Sequence, residues 1–433
     1  MTKQFAPYES YKDSGVEWLG SVPNSWILKK AKYVFIDHVE KNHPNAELLS
    51  VTQDHGVIPR AMVENRMVMP SGNLHTFKHI EKGDFAISLR SFEGGFEFCH
   101  YDGIISPAYT VLKNVMQINE PYFKYLFKSH SFILGLQTCT VGIREGKNIS
   151  YEEFAINCLP MPDIQEQQKI ADFLDKKTAQ IDEAIAQKEK MIELLKEYRQ
   201  ITINNAVTKG LDPDVLMKDS GIEWLGQILA HWEIKKLKFI LTEKLKYGAN
   251  ESGIDYSEKL PRYIRITDFG NNGKLSDVNK LSLPTHIAND YLLKDGDILF
   301  ARSGGTVGKS YQFRNNISYD ESYCFAGYLI KASANEQIIL SDFLYLYTNS
   351  PLFYLWKDFI FNKATIENIG ADKYAQLPVI IPPIEEQTKI LEVFKELNDK
   401  IEASIICKQQ EIEKLKEYKA TLIDSAVTGK IKV

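Results

Sequence analysis

"KDSGVEWLGSVPNSWILKKAKYVF" fills Lys12–Phe35, and "KDSGIEWLGQILAHWEIKKLKFI" fills Lys218–Ile240. Both copies keep the Lys-Asp-Ser-Gly start, two tryptophans and a closing run of lysines. A stretch of this length that returns once marks an internal duplication, and a duplication constrains the architecture before any single element does.

Further pairs extend the repeat. "PDIQEQQKIADFL" (Pro162–Leu174) returns as "PPIEEQTKILEVF" (Pro382–Phe394), and "LKEYRQITINNAVTKG" (Leu195–Gly210) as "LKEYKATLIDSAVTGK" (Leu415–Lys430), at one constant spacing without a gap. Weaker echoes lie between. "KGDFAISLR" answers "DGDILFAR", which pairs Arg90 with Arg302, and "YDGIISPAYTVLK" answers "YDESYCFAGYLIK". The order is globular, helical, globular, helical, with expected segments 1–160, 161–210, 211–380 and 381–433. The helical parts match closely and the globular parts have diverged. Because the Lys-Asp-Ser-Gly motif follows the first helical part and also opens the chain, the N-terminus is expected beside the end of the second helical part, closing a pseudo-twofold arrangement.

The helical parts have clear limits. Pro162, or Pro382 and Pro383, precede carboxylates at Asp163 and Glu166 or Glu385 and Glu386, which suits the positive end of a helix dipole. Gly210 and Gly429 suit left-handed caps. Between them Ile181, Ile185, Ile192 and Leu195 answer Ile401, Ile405, Ile412 and Leu415 in a three-four rhythm, interrupted at Lys188 and Lys408. About 45 residues at ~1.5 Å each give rods of roughly 65 Å. Matching stripes predict an antiparallel coiled-coil pair. In the globular parts, Phe85–Leu89 and Ile298–Ala301 read as strands, and Pro121–Leu136 and Leu340–Trp356 as helices. The expected fold is mixed α/β (α+β): two globular domains separated by two long antiparallel helices. The repeated Trp18, Trp26, Trp224 and Trp232 read as core anchors.

Composition sets the class. The chain has 433 residues, 44% hydrophobic and 25% charged, as in ordinary globular proteins. No apolar run approaches the roughly 18 residues of a membrane span, and "MTKQFAPYESYKDSG" has no apolar core, so a cytoplasmic setting is expected. Five scattered cysteines without C-x-x-C spacing argue against a disulfide frame or a zinc site. Seven of the nine histidines fall in the first globular part (His38, His43, His55, His75, His79, His100 and His130) without ligand spacing on a helix, so no metal site is expected. The net charge of −5 excludes a uniformly basic surface but not a local basic groove.

One stretch, "ARSGGTVGKSYQF" (Ala301–Phe313), imitates a phosphate-binding loop. That loop needs a glycine where Ser303 stands, and a helix after the Gly-Lys-Ser. Ser310–Phe313 is instead aromatic and strand-like, so a hairpin is expected. Nucleotide hydrolysis is disfavoured. The chain also lacks a [DNS]-P-P-[YFW] amino-methyltransferase motif, H-E-x-x-H and G-x-S-x-G.

The duplicated "KDSGVEWLG…W" and "P-x-x-x-E-Q-x-x-I" motifs, in this order and covering essentially the whole chain, resemble the specificity (S) subunit of type I restriction–modification systems. The resemblance implies two target recognition domains, each reading one half of a split asymmetric site in double-stranded DNA. It implies helical spacers that set the half-site distance and dock two methyltransferase (M) subunits, with two restriction (R) subunits completing the nuclease. The S subunit catalyses nothing, and S-adenosylmethionine, ATP and Mg²⁺ belong to the partner subunits. The rival reading is a coiled-coil scaffold without a role at DNA.

Candidate DNA contacts are Arg90 and Arg302 at strand ends, where arginine can grip a phosphate or a guanine edge. Ser303, Thr306 and Lys309 lie on the glycine-containing loop, and Arg144 and Lys147 lie in "GIREGKNIS". That loop's partner, "KATIENIG", keeps only Asn368 and the following isoleucine. The repeated Glu166, Gln167, Tyr198, Glu386, Gln387 and Tyr418 are expected on outer helix faces, as contacts for two copies of one partner.

Overall fold

The computed structural model describes residues 5–63, 73–137, 140–141, 148–212, 214–270, 275–304, 306–316, 320–361 and 368–433. Two compact units emerge: Met1–Glu189 with Lys408–Val433, and Lys190–Cys407. The long helices, Ile164–Thr208 and Ile384–Val427, each contribute a stretch to both. Both helices end at glycines with positive φ, Gly210 at 63° and Gly429 at 73°, the conformation that favours glycine at a helix stop.

In the first unit the opening motif is a hairpin, Tyr11–Asp13 against Ser21–Pro23. The Asp-Ser-Gly sequence builds its turn. Asp13 Oδ1 accepts from Gly15 N at 3.0 Å and Ser14 Oγ from Val16 N at 3.1 Å, the local side-chain bonds that make Asp and Ser turn formers. Lys12 Nζ donates to Trp26 O at 2.5 Å. The Trp26 side chain sinks into a core with Phe35, Phe85, Phe96, Phe123, Phe127, Phe132 and Phe154. Burying a side chain of this size stabilises by about 1.5–3 kcal/mol. Over this core lies an antiparallel sheet in the order Phe35–Asp37, Thr110–Asn114, Phe85–Ile87, Glu97–Phe98. Strand Cys158–Met161 pairs with Ile27–Lys30 and delivers the chain to Pro162.

Ile170, Ala171, Leu174 and Ile181 of the first long helix, and Leu422, Ala426 and Val427 of the second, join the same core. Asp182 meets Lys419 at 2.7 Å and Lys188 meets Glu411. Position falls along one helix as it rises along the other, so the helices run antiparallel here. Lys188 and Lys408, the expected interruptions of the seam, both bind the Glu411 carboxylate and hold its pKa down at about 2. The chain start lies beside the end of the second helix, as the repeat predicted: Lys432 N donates to Ala6 O at 2.9 Å, and Lys430 Nζ to Leu19 O at 3.0 Å.

The second unit repeats this frame. Met217–Asp219 pairs with Gln227–Leu229. Asp219 and Ser220 make the same turn bonds, and Lys218 Nζ donates to Trp232 O at 2.7 Å. The antiparallel sheet runs Lys246–Tyr247, Leu329–Ala332, Ile298–Ala301, Ser310–Gln312. Ile203, Ala206, Val207 and Ile390 enter its core, and Arg199 pairs with Glu402 across the two helices. Each stretch expected as one helix is broken. Glu120–Leu126 and His130–Leu136 are separated at Ser129, and Ser341–Thr348 and Pro351–Phe361 at Ser350. Ser129 and Ser350 cap the following turn through their hydroxyls. The second unit adds a four-stranded sheet, Ile254–Asp255, Leu281–Ser282, Arg262–Ile264, Tyr323–Phe325, whose last pair is parallel. The first unit has instead two strand pairs, Leu49–Thr52 with Gly56–Pro59 and Lys78–Ile80 with Gly103–Ile105.

Candidate nucleic-acid interface

In the second unit, strand Ile298–Ala301 turns back into Ser310–Gln312 as an antiparallel hairpin, so the phosphate-loop likeness is a turn without a following helix. The turn is tight. Gly308 N donates to Ala301 O at 3.0 Å, Val307 N to Gly304 O at 2.9 Å and Lys309 N to Thr306 O at 3.0 Å. Gly304 and Gly308 have φ of 76° and 82°, which explains the glycines without a nucleotide. A Cβ at Gly308 would lie 2.4 Å from Lys357 Cδ, so the Lys357 stem runs over the loop. A Cβ at Gly304 would meet nothing within 4 Å among the described residues.

Arg302 is held from several sides. Its N donates to Tyr328 O at 3.1 Å, and its O accepts from Ile369 N at 2.9 Å. Ser303 and Asn368 form an antiparallel backbone bridge next to it. The guanidinium lies 5.0 Å from the centre of the Tyr247 ring, with Nη1 3.4 Å from Gly327 O. Its buried Nε has no hydrogen-bond partner among the described residues. Such a group loses hydration without compensation unless something else accepts from it. Lys309 is exposed, while Ser303 and Thr306 are half-buried. Tyr247 and Tyr328, 40% and 65% exposed, complete this surface. Sequence reading missed both, and their only signal was exposed aromatic character next to expected strands.

The first unit is built differently at the matching place. Arg90 is exposed and immediately precedes the short helix Ser91–Gly94, which replaces the tight turn. Below it Glu97 is 1% exposed, and Lys128 binds it at 2.7 Å while also donating to Gly94 O and Gln53 O. Burial raises the Glu97 carboxyl to about 7 despite the lysine. Arg144 and Lys147 lie outside the described residues.

The residues expected to face a partner divide in two. Gln167 and Gln387 are buried, which corrects their placement on an outer face. Gln167 accepts from Asn119 N at 2.9 Å and donates to Pro162 O at 2.8 Å. Gln387 accepts from Leu340 N and donates to Pro382 O, both at 2.8 Å. The repeated Pro-x-x-x-x-Gln spacing therefore locks each long helix to the segment before its unit's short helices. Glu166 accepts from Tyr8 Oη at 2.6 Å, and Glu386 from Trp232 Nε1 at 2.9 Å with His231 at 2.7 Å. These carboxylates also serve inward contacts. Tyr198 and Tyr418 are 50% and 44% exposed and stay on the outer face. Trp26 and Trp232 are fully buried anchors, while Trp18 and Trp224 are half-buried.

Among the described residues no helix is long and apolar enough to cross a membrane. The model of the type I restriction modification DNA specificity domain matches residues 231–414. The StySPI specificity subunit of Salmonella potsdam is 24% identical over 283 residues, 65% of this chain and 58% of that one. The EcoKI specificity subunit of Escherichia coli K12 is 28% identical over 267 residues, 58% of this chain and 52% of that one. The matched region thus spans little more than half the length of these curated relatives. Among solved structures, a chain from a study of complex assembly and conformational transition of the type I R-M system has a TM-score of 0.65 at 16% identity, covering 94% of this chain and 98% of that one. The HsdS subunit of Thermoanaerobacter tengcongensis has a TM-score of 0.54 at 15% identity, covering 95% and 98%. These two likenesses show that the fold is shared along nearly the whole chain. The duplicated motifs, the specificity-domain match over residues 231–414 and the shared fold all point the same way: the chain is similar to the specificity subunits of type I restriction–modification systems.

Proposed function

We propose that this chain is the DNA-reading subunit of a type I restriction–modification complex and does no chemistry itself. Each unit reads one half of a bipartite asymmetric site in double-stranded DNA. The long helices fix the half-site spacing and carry two methyltransferase (M) subunits, and two restriction (R) subunits complete the nuclease. One observation carries the reading. Two units keep the same hairpin, sheet order, tryptophan anchor and glutamine lock, yet differ where a sheet edge presents its loops. A shared frame with unlike edges suits a device that reads two different sequences.

In the second unit the contact surface is Arg302, Ser303, Thr306 and Lys309, with Tyr247 and Lys357 beside them. At Gly304 the lack of a side chain lets the backbone approach a phosphate closely. Arg302 offers its guanidinium to a phosphate or a guanine edge. In the first unit Arg90 takes the matching place, with Arg144 and Lys147 as further contacts. Tyr198 and Tyr418 are the helix contacts for the M subunits. Gln167 and Gln387 are buried and take no part there, and Glu166 and Glu386 act there only through the segments they hold.

The test is modified-base sequencing of DNA from cells that make this chain together with its methyltransferase partner, against cells lacking this chain. Methylation at one split motif, requiring both proteins, is expected. The same methylation without this chain would leave a coiled-coil scaffold as the better account.

A further inference from the structure

Three histidines that are scattered in sequence meet around one carboxylate in the first unit. Glu40 Oε1 lies 2.7 Å from His43 Nε2, and Glu40 Oε2 lies 3.3 Å from His38 Nε2 and 3.9 Å from His79 Nδ1. The His43 and His79 rings stack at 4.5 Å with 26° between their planes. The candidate ligand atoms of Glu40, His43 and His79 all lie within 4.8 Å of one another.

The backbone holds this cluster. His38 follows the edge strand Phe35–Asp37, and its N donates to Val111 O at 2.8 Å. Asn42 has φ of 73°, rare for a residue with a side chain, and turns His43 back toward the strand Lys78–Ile80. Asn42 N donates to His75 O at 3.2 Å, and His79 N to Glu40 O at 2.8 Å. The ligand-bearing segments are therefore tied on both sides before any ion arrives. Their side chains are 19–43% exposed, so an ion can enter.

We propose that Glu40, His43 and His79 form a binding site for a divalent transition-metal ion of the zinc class. Two neutral imidazoles and one carboxylate supply three ligands, and water takes the fourth place. Two imidazole nitrogens favour zinc, nickel or copper over magnesium or calcium, which prefer oxygen ligands. The Glu40 carboxylate balances part of the ion's charge. His38 lies outside the ligand set and steadies Glu40 through its hydrogen bond, as outer partners of metal ligands do. The bound ion staples the 38–43 segment to strand Lys78–Ile80. The second unit's stretch of chain contains only His231 and His286, so the staple belongs to one unit.

The experiment uses the full chain, stripped by a chelator and titrated with Zn²⁺ by calorimetry and with Co²⁺ by visible absorption. One ion per chain is expected, with cobalt bands that show nitrogen ligation and a melting temperature that rises on adding Zn²⁺. His43→Ala and His79→Ala should each weaken binding by at least about tenfold, Glu40→Gln similarly, and His286→Ala not at all. Circular dichroism without metal checks that the variants fold, and His43→Gln serves if His43→Ala does not. No binding by the wild-type chain, or equal binding by the His43→Ala/His79→Ala double variant, would overturn the proposal.

Discussion

The two units share a skeleton and differ in how they complete it. In the second, the buried Trp232 donates its indole N–H to Glu386, the acid at the start of the long helix. In the first, the matching acid Glu166 takes the Tyr8 hydroxyl instead, and the Trp26 indole packs edge-on to the Tyr8 ring, with centroids 5.9 Å apart, rather than bonding the acid. Likewise Glu97 is buried in the first unit on the strand beside Phe85–Ile87, where the matching strand of the second carries Tyr311. The frame thus tolerates different local solutions wherever a backbone position, rather than a side chain, is what must be kept. That tolerance lets sheet-edge loops diverge without loss of fold.

The comparison can be broken first at the anchors. Trp26→Ala and Trp232→Ala each leave a large cavity and should cost about 3–5 kcal/mol. The loss should appear as faster hydrogen exchange confined to the variant's own unit. Trp232→Ala should cost more, because it also strips Glu386 of a donor. Equal costs would mean that the indole bond contributes nothing.

Next comes pH. Glu97 is raised from the ordinary carboxylate value to about 7 when folded. A raised folded pKa favours the proton-bound folded state. Its stabilising effect is full below about pH 4.5 and is lost as pH rises through about 7. On the order of 3–4 kcal/mol should be lost over that window at about 1.4 kcal/mol per pKa unit. Chemical denaturation of the wild type and Glu97→Gln across the window measures it, with the slope absent from the variant and from probes in the second unit.

The helix stops give a smaller contrast. An alanine at either glycine meets about 1–2 kcal/mol of backbone strain. At Gly429 its Cβ would also fall 2.4 Å from Pro23 Cδ, while at Gly210 the nearest atoms are at 3.1 Å. Gly429→Ala should therefore lower the melting temperature more than Gly210→Ala. The smallest effect expected is on DNA. Lys309→Ala should leave sequence preference intact and reduce the slope of log affinity against log salt by about one. Arg302→Ala should instead relax preference at one position of one half-site.

Much of the frame was legible in the sequence because it is local. Glycine stops, the isoleucine seam and the Ala301–Phe313 hairpin are set by neighbours along the chain. Gln167 and Gln387 were misplaced because a repeated polar pair looks like a surface. What they satisfy, Asn119 N and Leu340 N, lies far off in sequence. Tyr247 beside Arg302 and the Glu40–His43–His79 cluster were invisible for the same reason: strand pairing over long separations brings them together. The short helices were found but their breaks were not, since Ser129 and Ser350 act through hydroxyl caps that apolar spacing does not register.

The most direct test of the central claim exchanges residues 1–160 for the matching segment of a known specificity subunit, leaving the rest of this chain in place. Modified-base sequencing then reads the motif. One half-site should change, while the other half and the spacing stay the same. A motif unchanged in both halves, or changed in both, would contradict the assignment of one half-site to each unit.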